Sequence, residues 1–121
     1  MPTGVGEPRL TSYLEATYVP TTIDLDDPKM VINEVFGTSS IMHRVANAES
    51  TYRQFDANGA VIIGKVTPDI GLFQISPKTW GPKAKELGYD IDTTLGNALM
   101  AKYILSVQGL SAWNSSRLSW Q

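Results

Sequence analysis

Glu49 is the residue in this sequence best placed to do chemistry. It ends an apolar, helix-like stretch, four residues after Val45 and so near the apolar face. A carboxyl flanked by apolar groups loses solvation, so its charged form is disfavoured and its pKa rises. Such a group stays protonated near neutrality and can give its proton to a leaving glycosidic oxygen. Glycoside cleavage also needs a base, a nucleophile or help from the substrate. The next carboxyls downstream, Asp56 and Asp69, each stand in a turn signal, where aspartate is expected for local hydrogen bonding. Periodicity alone also allows a structural reading, in which Glu49 is a helix-end glutamate touching Arg44 or Arg53.

Gln74 is the second candidate. It lies among Leu72, Phe73 and Ile75. A lone amide in an apolar run is either a buried polar anchor or a group lining a polar cleft. An amide offers both donors and an acceptor, which suits sugar hydroxyls and N-acetyl groups. Tyr52, Phe73, Tyr103 and Trp113 can stack on sugar rings where their faces are exposed, with core packing as the default for each.

Other chemistries are poorly supplied. The chain has no cysteine and one histidine, His43, which leaves little for thiol or Ser-His-Asp catalysis or for a structural zinc. Asp24, Asp26 and Asp27 resemble a metal cluster, but no EF-hand register follows, and helix capping explains them better. No glycine-rich phosphate loop is present. The expectation is therefore no metal and no cofactor. A net charge of −2 gives no electrostatic case for nucleic acid or anionic lipid. No run of about 18 apolar residues exists to span a membrane. The first residues lack the basic flank and apolar stretch of a secretory leader.

The 121 residues are 42% hydrophobic, enough for one domain with a single core. Residues 1–22, rich in Pro and Gly, read as an N-terminal extension, with Leu10, Tyr13, Leu14 and Tyr18 available to pin it. The domain proper is expected over 23–121. A first helix runs from Pro28 to Phe36, capped by Asp26 or Asp27 and stopped by Gly37. Thr38 or Ser39 caps a second, with Ile41, Met42, Val45, Ala46 and Ala48 as its buried stripe. Its small alanines suggest the most buried helix of the domain. The period then changes. Asp56-Ala57-Asn58-Gly59 signals a tight turn and Val61-Ile62-Ile63 a strand, so a small β-hairpin lobe is expected. Ser76-Pro77 opens a further helix to Leu87, weakened in the middle by Gly81-Pro82. Thr93 or Thr94 caps the last long helix, where Leu95, Leu99, Tyr103 and Val107 recur every four residues until Gly109, with Ala98, Ala101, Ile104 and Leu105 widening the stripe. The fold class is α+β, mainly helical.

The order of these pieces resembles the lysozyme-like superfamily, specifically the soluble lytic transglycosylase type of domain. The family's catalytic Glu-Ser pair matches Glu49-Ser50, and its Gly-Leu-Met-Gln motif matches Gly71-Leu72-Phe73-Gln74. Its Pro-x-Thr appears as Pro77-Lys78-Thr79. Its Ala-Tyr-Asn-Ala-Gly motif is met weakly by Ala112-Trp113-Asn114-Ser115-Ser116. Asn97 and Tyr103 fall on a helix like the family's own. The resemblance covers roughly residues 32–120.

The resemblance implies a lysozyme-like domain with a β-flap beside the catalytic helix, and a cleft for peptidoglycan glycan strands. Glu49 would act as general acid and base at the bond between MurNAc and GlcNAc, giving 1,6-anhydro ends. Ser50, Gln74, Tyr103, Trp113 and Asn114 would bind substrate. Hydrolysis through Asp56 or Asp69, or a non-catalytic glycan-binding or assembly module, are the alternatives. The implied setting is extracytoplasmic or on a virion, as a monomer. The chain departs from the pattern in Ser115-Ser116, and in Ala48 and Ser119 where some similar small domains carry cysteines. Without that staple, Trp113, Leu118 and Trp120 are expected to hold the C-terminus by packing.

Overall fold

A computed structural model describes residues 23–121 of the chain. The expectation for residues 1–22 lies outside the described residues. The described part is mainly helical, and none of its helices is long and apolar enough to cross a membrane.

Helix α1 is Pro28–Phe36. Asp27 caps it by accepting from Met30 N at 3.1 Å, and Pro28 supplies the preset first turn. Asp24 accepts from Asp26 N at 2.9 Å, so two of the three clustered aspartates serve local backbone. Helix α2, Met42–Ser50, carries Glu49. Ser40, not Thr38 or Ser39, accepts from its first free amide, Met42 N, at 3.0 Å. Met42, Val45 and Ala46 are buried as expected.

Helix α3 is Pro77–Leu87, and Ser76 accepts from Thr79 N. It runs unbroken through Pro82, although Gly81-Pro82 is expected to weaken its middle. Trp80 before the proline and Ala84 after it both pack on the core, and this holds the helix together across the lost hydrogen bond.

Helix α4, Thr94–Gln108, is the most buried element, a place the sequence assigned to α2. Thr93 caps it by accepting from Gly96 N at 3.0 Å. Its inner face is Asn97, Ala98, Met100, Ala101 and Ile104, while Val107 is exposed. Ala98, Ala101 and Ile104 of the expected stripe are thus in the core, Leu95, Tyr103 and Leu105 pack at its edge, and Val107 lies off it. A 3-10 segment, Gly109–Ser116, leads into the short helix α5, Arg117–Trp120. Helix α1 packs on α4, and α2 packs on α5 and the 3-10 segment. Trp113 and Trp120 are buried and hold this end, but Leu118 is 89% exposed and does not.

The β-hairpin lobe is not formed. Among the described residues the 51–76 segment makes only isolated antiparallel bridges, Phe55 to Val61, Ile63 to Ile70 and Ile70 to Ile75. The turn at Asp56 does form: its carboxylate accepts from Asn58 N and Ala60 N, and Gly59 has φ +83°. Pairing beyond Phe55 and Val61 stops because Ile62 O accepts from Gly71 N at 2.7 Å and Gly64 N donates to Asp69 O at 2.9 Å. Leu72 N donates to Gln54 Oε1 and Phe73 N to Asn97 Oδ1, each at 2.8 Å.

Candidate active site

The site is built where α2 ends against the turn at residues 71–74. Thr51 and Tyr52, which end the helix, have φ of +59° and +62°. Two successive left-handed residues with side chains store strain, about 1 kcal/mol or more each. Tyr52 is held by contacts on both sides. Its hydroxyl lies 3.2 Å from His43 Nδ1, and Lys29 Nζ sits 4.9 Å above its ring. The sharp exit directs the chain away immediately after Glu49 and Ser50.

Ser50 is buried, and its hydroxyl is used inside the protein. The oxygen faces the carbonyl of Leu72 at 2.8 Å and that of Ala46 at 3.1 Å, and it accepts from Arg53 N at 3.0 Å. It joins α2 to the turn and is turned inward. The turn itself is clamped from three further directions. Gln54 accepts from Leu72 N and donates to Ile91 O. Asn97 accepts from Phe73 N and donates to Ile70 O and Ile91 O. The Trp113 indole donates to Phe73 O at 2.9 Å. Gly71, with φ +72°, permits this close approach, since a Cβ there would meet the Gln54 amide and lie 2.7 Å from Asn97 Nδ2.

Glu49 is half-buried, and its partner is neither Arg44 nor Arg53. Ser116 donates to Glu49 Oε2 at 2.5 Å. Arg53 instead donates through Nε to Ser50 O at 3.2 Å. Burial pushes the Glu49 carboxyl above its ordinary value of 4.5; the Ser116 hydrogen bond pulls it down, and the charge of Asp69 pushes it up further. Asp69 is therefore the second carboxylate that acts on Glu49. It accepts from Thr67 Oγ1 at 2.7 Å at the close of the 61–70 loop. Asp56 accepts from Asn58 N and Ala60 N in its own turn, and it is not among the groups that shift Glu49.

Gln74 closes the turn at φ +51°, with its amide donating to Gly71 O at 3.0 Å. It is half-buried and packs over Gly64, where an added Cβ would lie 2.7 Å from Gln74 Oε1. Trp113 is only 3% exposed and packs edge-on against Phe73, so it has no free face for a sugar. Asn114 is exposed beside it. Tyr103 packs on Trp80 and under Lys83, between α3 and α4. A hollow of about 360 Å³ beside the end of α3, lined by Ala84, Tyr89 and Ile91, contains none of these residues.

Sequence reasoning missed two residues. Gln54 shows no signal, since it belongs to no periodic stretch. Ser116 closes the weak match Ala112-Trp113-Asn114-Ser115-Ser116, where a hydroxyl in place of glycine was the one available sign. No protein-family model, curated protein or solved structure matches the chain.

Proposed function

We propose that this chain is a lysozyme-like domain that cleaves the β-1,4 bond between MurNAc and GlcNAc in peptidoglycan, with Glu49 as general acid and base. The observation that carries the reading is the state of Glu49, a half-buried carboxyl at a helix end whose protonated form is favoured by burial. Its neighbours add support, because Ser50 fixes the helix end to the one turn that carries Gln74.

The chemistry follows from one carboxyl. Glu49 gives its proton to the GlcNAc oxygen as the bond to MurNAc C1 breaks. The substrate's N-acetyl group supports the positive charge at C1. Glu49, now a carboxylate, takes the proton of the MurNAc C6 hydroxyl. That oxygen attacks C1 and closes the 1,6-anhydro ring, so no water is consumed and Glu49 is regenerated. Gln74 and Asn114 are the side chains best exposed to hold sugar, with Trp113 and Ser50 behind them as support.

Hydrolysis is the second reading, favoured by the charge of Asp69 acting on Glu49. Asp69 would then activate the water. The test is release of soluble fragments from purified peptidoglycan. Glu49→Gln should abolish it with the fold intact; undiminished release would refute the reading. No release by well-folded wild type would assign the chain to glycan binding instead.

A further inference from the structure

Ser116 has a role that neither the motif comparison nor the reaction above gives it. Its hydroxyl oxygen lies 2.5 Å from Glu49 Oε2 and 3.2 Å from the carbonyl of Trp113. A serine has one proton to donate and lone pairs to accept with. When Glu49 is ionised, that proton points to Oε2. When Glu49 carries its proton on Oε1, Oε2 is the carbonyl oxygen of the acid and still accepts from Ser116. Both states of the carboxyl therefore have a partner without movement of the backbone.

Trp113 fixes this arrangement. It breaks the 3-10 segment with φ −115° and ψ 27°, and its indole is bonded to Phe73 O at 2.9 Å. Its carbonyl also accepts from Trp120 Nε1 at 3.2 Å. The oxygen that orients Ser116 is thus held from the core side.

We propose that Ser116 is a positioning residue for Glu49, holding Oε2 so that Oε1 is the oxygen that exchanges its proton with substrate. The inference rests on the reading of Glu49 as the acid and base. It gives a use to the departure at Ser115-Ser116, since serine stands in place of glycine where a hydroxyl reaches the carboxyl. Asp69 is the other charged group acting on Glu49, and it does so without a direct hydrogen bond.

The test follows the Glu49 carboxyl carbon by NMR through a pH titration, in wild type, Ser116→Ala and Ser116→Thr, beside rates of peptidoglycan cleavage. Ser116→Ala should move the Glu49 midpoint to higher pH, because a bond to the charged form is lost. Ser116→Thr should restore it. The limiting kcat of the alanine variant should fall about tenfold or more, with KM little changed. A Glu49 midpoint that ignores the alanine substitution, or that threonine does not restore, would overturn the proposal. The titration needs no turnover, so a shifted midpoint in a protein that cleaves nothing would refute the enzymatic reading and leave the Ser116–Glu49 bond standing.

Discussion

The hydroxyl of Ser50 lies 2.8 Å from the carbonyl oxygen of Leu72, and this bond fixes the end of the Glu49 helix to the turn that carries Gln74. It explains why a Glu-Ser pair and a distant Gly-Leu-x-Gln run belong to one site. The serine next to the acid is a brace between two backbones.

Removing that brace should cost stability first. Ser50→Ala leaves the Leu72 carbonyl and the Arg53 amide without their partner in a buried place. We expect a loss of about 1–3 kcal/mol, measured as a lower urea midpoint at unchanged slope. A midpoint equal to wild type would mean that the turn is held adequately without it.

Gly71→Ala should be more severe. The residue has φ +72°, and the new methyl would enter the space of the Gln54 and Asn97 amides, whose bonds to Leu72 N and Phe73 N hold the turn. The expected loss exceeds about 2 kcal/mol by the same denaturation measurement.

Glu49 should make stability depend on pH in a definite direction. Its carboxyl is raised above 4.5 in the fold, so the folded state binds the proton more tightly than the unfolded chain. Its favourable contribution is complete below the unfolded value and is lost as pH rises through the folded one. Glu49→Gln, which cannot ionise, should therefore melt at a higher temperature than wild type near neutral pH. The advantage should vanish in acid. Parallel melting curves at all pH values would contradict the burial argument.

Asp69→Asn tests the second carboxylate. Removing its charge should lower the Glu49 pKa and move the alkaline limb of the rate profile to lower pH. Cleavage should persist if the substrate's C6 hydroxyl is the nucleophile. Complete loss of activity in a folded Asp69→Asn would favour the hydrolytic reading.

Helix limits were legible because caps are local chemistry: Asp27, Ser76 and Thr93 each bond within three residues of themselves. The core face of α4 was legible in part: Ala98, Ala101 and Ile104 follow from periodicity, but Asn97 and Thr94 are buried through partners at Ile70 and Asp26, far away in sequence. The same blindness produced the expected hairpin. Val61-Ile62-Ile63 has the composition of a strand, but Ile62 O and Gly64 N, which a longer ladder would use, are bonded to Gly71 N and Asp69 O. Glu49 was readable from its place on an apolar face. Its partner Ser116 was not, since 67 residues separate them. Trp113 and Ser50 were read as substrate contacts because a motif gives position along the chain and says nothing of burial.

The most direct test of the central claim is the mass of the products released from purified peptidoglycan, with Glu49→Gln as control. The account predicts muropeptides lighter by one water than reducing products, as 1,6-anhydro ends require, and none from the variant. Fragments released equally by Glu49→Gln would contradict it.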